Sequence, residues 1–192
     1  MPYLGLFCEP FAPVRRWSNN RGSQTTPEYA WRPGKTVPAS GQRHARGRNS
    51  FVVHKIIRLS THRREELVDI TQQLNSAVAE SGVSDGLVAL YAQGATAAIM
   101  IQENWDESVQ TDVVDLLQRL IPRGVWLHDK QDGNGDAHLK AGLVGPSESI
   151  PLIGGQLGLS RWQNVFFCEF DGPRAERTVV CTVIPVPTAA RA

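Results

Sequence analysis

Cysteine is scarce. The three present in 192 residues, Cys8, Cys168 and Cys181, are too few and odd in number for a disulfide framework. They suit a reducing compartment, so a cytoplasmic location is the expectation. No apolar run approaches the roughly 18 residues of a membrane helix, and no membrane association is expected. Met1 to Cys8 lack a basic leader and a sustained apolar stretch, so no secretory signal is read there. An overall charge bias is missing too, since 20 Lys and Arg face 19 Asp and Glu. No internal repeat is present. With 41% apolar residues, a chain of this length can bury one real core.

The near-neutral total hides an asymmetry. Residues 1–50 carry eight Lys and Arg against two Asp and Glu, whereas residues 51–192 carry twelve against seventeen. The leading stretch lacks any period of 3.6 or 2 and holds six of the 12 prolines. It reads as a disordered basic extension over 1–50, followed by a folded domain over 51–187. Trp17, Tyr29 and Trp31 interleave with Arg16 and Arg32, as a nucleic-acid stacking surface would. No motif accompanies them, and a solvated extension is the preferred reading.

From Phe51 the texture changes. Phe51–Leu59 and Leu67–Ile70 read as strands. Asp69 and Gln72 have capping-box spacing before a helix whose apolar face is Ile70, Leu74, Ala77 and Val78, ended by Gly82. Gly86–Tyr91 and Ala97–Ile101 are strands broken by Gln93-Gly94-Ala95-Thr96, as a hairpin or two neighbours. Asp106 caps a second helix with the stripe Val109, Val113, Leu116, Leu117 and Leu120, stopped by Pro122 and Gly124. After His128 only strand signals are read: Leu139–Val144, Ile150–Ile153, Val165–Phe170 and Thr178–Ile184. Pro185 and Pro187 end the fold. The order ββαββα followed by several strands predicts an α+β domain, two helices packed on a mainly antiparallel sheet or sandwich.

The chemistry gathers in four places. Asp132-Gly133-Asn134-Gly135-Asp136-Ala137-His138-Leu139-Lys140 joins a Gly-rich acidic turn to a short apolar segment with an imidazole and an amine. His128, ten residues before His138, could share a metal with it, with carboxylates such as Asp136 completing the shell. A solvated turn with structural histidines is the alternative. Gly94 and Thr96 form a small-residue break suited to an anion or to a plain turn. Gln102-Glu103-Asn104 places a carboxylate beside an amide before a helix. Glu169 falls among Val165, Phe166, Phe167, Cys168 and Phe170, where an unpaired carboxylate is costly. It faces either a cleft or an ion-pair partner such as Lys140 or Arg174.

These stretches resemble, in order and spacing, the YjbQ-like family. The matching runs are Ala95-Thr96-Ala97-Ala98-Ile99 with Gln102-Glu103-Asn104, Gly135-Asp136-Ala137-His138-Leu139-Lys140-Ala141, Trp162-Gln163-Asn164-Val165, and Cys168-Glu169-Phe170-Asp171-Gly172-Pro173. The resemblance spans about residues 51–184. It implies a compact α+β fold, assembly as a homotrimer, and an activity of the secondary thiamine-phosphate synthase type. That reaction joins a hydroxymethylpyrimidine diphosphate to a thiazole phosphate and releases diphosphate. On this resemblance His138, Lys140 and Glu169 are the expected catalytic residues. Gly94, Thr96, Glu103, Asn104, Asn134 and Arg174 would contact a small phosphorylated metabolite. A divalent cation, zinc or magnesium, would sit on His128, His138 and Asp136. One departure stands out: many members carry His-Thr-Thr-Ala, and here Gly94 occupies the histidine's place. The competing expectation is a trimeric protein that binds a metal or phosphometabolite without turnover.

Overall fold

The computed structural model describes residues 51–186; the expectations for 1–50, for Cys8 and for Pro187 lie outside the described residues. Two antiparallel sheets are present. One has five strands in the order β1 (Val53–Thr61), β8 (Arg174–Pro185), β3 (Gly86–Gln93), β5 (Ser147–Ile153) and β6 (Gln156–Leu157). The other has three: β2 (Glu66–Asp69), β7 (Gln163–Glu169) and β4 (Ala97–Glu103).

Period-2 alternation builds the core between the sheets. Val88, Leu90 and Ala92 of β3, Val179, Cys181 and Val183 of β8 and Ile150 and Leu152 of β5 point inward. They meet Ala97 and Ile99 of β4 and Val165 and Phe167 of β7. Helix α1 (Thr71–Ser81) adds Leu74, Ala77 and Val78. The opposite parity of the small sheet, Ala98 and Cys168, packs against α2 (Glu107–Leu120) and α3 (Gly135–Val144) through Leu117, Ala137 and Ala141. Strand β4 is therefore buried on both faces, which explains its unbroken apolar run. The outer face of the five-stranded sheet has no covering layer among the described residues. Ile56, Leu87, Tyr91 and Ile184 stand exposed on it.

The α+β class holds, with three corrections. The first concerns Leu139–Val144, which lies in the third helix rather than in a strand. Ala137, Lys140, Ala141 and Val144 follow helical spacing and face inward, while Leu139 and Leu143 are exposed. A lysine on the buried stripe disguised the period. The second concerns β3 and β4, which are not hairpin partners. Each lies in a different sheet, so the turn Gly94–Thr96 carries the chain from one sheet to the other. The third concerns the caps. Asp69 accepts from the Thr71 N–H at 2.9 Å without a return bond from Gln72, whereas Asp106 caps α2 through the Ser108 N–H at 2.8 Å. Leu116 and Leu120 of the expected α2 stripe are exposed.

Burial pushes the Cys168 thiol up to about 12 and the Cys181 thiol up to about 11, so both behave as small apolar residues. Phe167 is fully buried between the sheets. Phe167→Ala is expected to lower the unfolding free energy by about 3–5 kcal/mol, read from urea midpoints at constant slope.

Candidate functional site

Two of the chain's three direct crossings between the sheets at this end run through Gly94–Thr96 and Phe170–Pro173, and the third runs through His62–Glu65. The first two are tied together by Phe170 N–H donating to Thr96 O at 3.1 Å. Helix α3 begins beside them, and this junction collects most of the expected site residues.

Glu169 continues the inward parity of Val165 and Phe167, and Arg177 continues that of Val179 and Cys181. The two side chains therefore meet at the edge of the inter-sheet core. Arg177 grips Glu169 with Nε at 2.7 Å and with Nη2. The same carboxylate accepts from Thr61 Oγ1 at 3.0 Å and from the N–H groups of Phe170 and Asp171 at 3.1 and 2.9 Å. Five donors saturate Glu169, so its role here is to hold an arginine. Arg177 Nη2 also donates to Thr96 Oγ1 at 3.0 Å, which fixes the crossing turn.

His138 lies on the first turns of α3, and its Nδ1 is 3.1 Å from Ala95 O. A carbonyl only accepts, so this nitrogen carries the proton and the neutral ring leaves its lone pair on Nε2. Among the described residues nothing hydrogen-bonds to Nε2. His128 packs edge-on against His138 with ring centroids 4.9 Å apart, and its own Nε2 is 3.6 Å from Asp132 Oδ2. Asn134 donates to Asp171 Oδ2 at 3.1 Å, and Arg174 Nη2 donates to the same oxygen at 2.6 Å. The Asn134 Oδ1 is buried and has no hydrogen-bond partner among the described residues. Asp129 joins the preceding 3₁₀ turn (Leu127–Lys130) to α3, accepting from Trp126 N–H and Gly135 N–H, both at 2.8 Å. Only glycine fits at 135, since a Cβ there would lie 2.9 Å from both Asp129 Oδ1 and Trp126 Cβ.

Gly94, Thr96, Asn134, His128, His138, Glu169 and Arg174 thus belong to one junction. Others do not. Lys140 is 1% exposed and bonds Glu65 and Asp136, each at 2.9 Å. Arg64 completes this buried cluster, reaching Asp136 with both terminal nitrogens at 3.1 and 2.9 Å and Glu65 at 2.8 Å. Lys140 is therefore committed to anchoring α3 rather than turned toward a phosphate. Asp136 has both oxygens occupied by cations and is not free to complete a metal shell with the histidines. Among the described residues no three His, Cys, Asp or Glu side chains are arranged to hold a metal. The donor set in a single subunit does not fit the expected cation. Glu103 and Asn104 lie at the far end of β4, about 20 Å from the junction at about 3.3 Å per residue. There Asn104 donates to Asp69 at 2.9 Å and accepts from Gln110 at 2.7 Å. Two surface grooves also lie apart from His138 and Arg177. One of about 340 Å³ runs between β2 and α2 beside Glu66, Glu107 and Asp115, and one of about 480 Å³ lies by Asp69, Asn75 and Asn164.

A family model described as UPF0047 protein YjbQ-like matches residues 55–186. The chain belongs to this YjbQ-like family. A UPF0047 protein of Methanocaldococcus jannaschii is 47% identical over 116 residues, covering 60% of this chain and 83% of that protein. The UPF0047 protein YugU of Bacillus subtilis is 36% identical over 123 residues, covering 62% and 91%. The crystal structure of a YbjQ-like protein of unknown function from Sulfolobus solfataricus superposes with a TM-score of 0.68 at 34% identity, covering 71% of this chain and 99% of that one. A YjbQ/UPF0047 protein of Clostridium acetobutylicum gives 0.65 at 40% identity, covering 68% and 99%. The shared region is the YjbQ-like domain that carries the junction.

Arg177 and Arg64 escaped the sequence reading. For Arg177 the signal was there: extending the alternation of β7 and β8 by one step on each strand brings Glu169 and Arg177 to the same side.

Burial opposes ionisation of Asp136 most strongly, but hydrogen bonds from Arg64 and Lys140, with their charges, outweigh it and hold its carboxyl below the usual 3.8. A depressed folded value stabilises the protein above the unfolded value, and that stability is lost as pH falls through the folded one. Asp136→Asn is expected to cost about 3–5 kcal/mol at neutral pH. In acid titrations followed by circular dichroism, its deficit should shrink as pH falls below the ordinary carboxylate range.

Proposed function

We propose that this YjbQ-like protein is a transferase of the secondary thiamine-phosphate synthase type. It joins a hydroxymethylpyrimidine diphosphate to a thiazole phosphate. The reading rests on one observation: His138 and Arg177, whose Nε2 and Nη1 have no partner among the described residues, are bonded to neighbouring residues of one turn, Ala95 and Thr96.

In chemical terms, the bond between the pyrimidine methylene carbon and the diphosphate oxygen breaks, and the diphosphate leaves with the electron pair. The thiazole nitrogen then supplies its lone pair to form the new C–N bond. Negative charge grows on the leaving oxygens, so fixed donors aimed there lower the barrier. Arg177 and Arg174 supply such donors, and His138, once its Nε2 lone pair has taken up a proton from solvent, passes that proton to the departing diphosphate. Glu169 is the positioning residue for Arg177. Lys140 and Asp136 hold the helix that carries His138. No step is assigned to a metal, because the donors at hand do not assemble around one.

The exposed rows on the five-stranded sheet support assembly. Ile56 faces Val180, which faces Tyr91, and Ile184 faces Leu87, which faces Pro151. Two exposed apolar rows, with the His54–Thr182 pair between them, suit cover by a partner, which agrees with the homotrimer that the resemblance implies. The second reading, a trimeric phosphometabolite-binding protein without turnover, shares this surface and the same junction.

Purified protein given both phosphorylated precursors is expected to form thiamine phosphate. His138→Ala should lower turnover at least about 100-fold. Unchanged turnover in that variant overturns the assignment, and binding of the precursors without product favours the second reading. In sedimentation the wild type is expected to run as three chains, and Tyr91→Glu is expected to shift it toward one.

A further inference from the structure

The Arg177 guanidinium is used unevenly. Nε and Nη2 are spent on Glu169 and Thr96, while Nη1 has no hydrogen bond among the described residues. The side chain is 11% exposed, yet Nη1 is not sealed off from solvent in the way that Asn134 Oδ1 is. What lies against it is Gly94, where an added Cβ would stand 3.1 Å from Nη1. The space over this nitrogen therefore exists because residue 94 has no side chain.

The donors beside that space are also unspent. Thr96 Oγ1 accepts from Arg177, which leaves its own hydrogen free to donate. The N–H groups of Gly94, Ala95 and Thr96 make no hydrogen bond among the described residues. Arg177 Nη1, the Thr96 hydroxyl and these three amides are donors of one turn and of the arginine held against it, and Nη1 stands at the gap left by Gly94. Such a donor set matches the oxygens of a phosphoryl group, which accept several hydrogen bonds and carry charge.

We propose that Gly94 and Arg177 form the phosphoryl-binding subsite of the junction, with Nη1 as its charged contact and Gly94 as the residue that admits the anion. The inference rests on the reading of the junction as a phosphometabolite site but not on transferase chemistry. Glu169 sets the guanidinium orientation in advance, so binding needs no rearrangement of the arginine.

The test is calorimetric titration of the full chain with inorganic diphosphate, with chloride at equal ionic strength as the control. Gly94 does not adopt positive φ, so alanine suits its backbone. Gly94→Ala narrows the gap while leaving the Glu169 pair in place. Arg177→Lys keeps a cation for Glu169 and removes Nη1. Both are expected to weaken diphosphate binding at least about tenfold, with the melting temperature of Gly94→Ala close to wild type. Wild-type affinity in Gly94→Ala, binding that chloride abolishes equally in all three proteins, or no binding by the wild type overturns the subsite. Turnover of the two precursors is read separately. Binding that weakens as expected without any turnover leaves the subsite standing and removes the transferase reading. Turnover with unweakened binding in both variants does the reverse.

Discussion

A buried carboxylate held by five donors governs the site end of this fold. Glu169 lies where the interior between the two sheets runs out, and leaving it unpaired there would be costly. Arg177 reaches it from the opposite sheet, so a single ion pair closes the edge of the core and links the layers. The pair also determines its surroundings. It fixes the Thr96 hydroxyl, and with it the turn that carries the chain between sheets. It fixes the backbone at Phe170 and Asp171, and with it another crossing. The imidazole of His138 is positioned against the carbonyl of the same turn. Geometry that looks catalytic is thus first a solution to a burial problem.

Much of this was legible in the sequence. Alternation located the strands, caps located α1 and α2, and the grouping of strands gave an antiparallel α+β fold. His138, Asn134, Gly94, Glu169 and Arg174 were each singled out, because chemistry-bearing residues crowded at strand ends; that they meet at one junction was not readable. What failed did so for physical reasons. Lys140 was read as a catalytic amine or a partner of Glu169; its actual pairing with Glu65 depends on a loop some 70 positions earlier, which spacing around Lys140 does not reveal. The same unseen partner, Arg64, took Asp136 out of the metal set. Glu103 and Asn104 were grouped with the site through the family resemblance, although an extended strand separates them from Thr96. Residue spacing along the chain has no access to the sheet switch between β3 and β4.

Family membership and chemistry come from different sources here. The match over residues 55–186 and the solved relatives establish the YjbQ-like fold. The names of those relatives give no reaction. This chain's own donors suit the phosphoryl chemistry that the resemblance implies, above all an arginine with two nitrogens spent and one without a partner among the described residues. The substitution of glycine at position 94 fits that picture, since the space it leaves borders that nitrogen. Acidic partners at Asp171 and Glu169 balance the arginines, so the junction is a set of aimed donors rather than a basic patch.

The ion cluster of Arg64, Glu65, Asp136 and Lys140 has a thermal consequence. The hydration of charged groups becomes less favourable as temperature rises, so the penalty for keeping them dry falls. Apolar contacts gain no comparable advantage on heating. Helix α3 is fastened beneath His138 by four mutually compensating charges, and on its other inward positions by little more than alanine methyls. The imidazole is therefore tethered by the class of interaction whose relative weight grows with heat, and its alignment should outlast the loosening of the surrounding apolar layers.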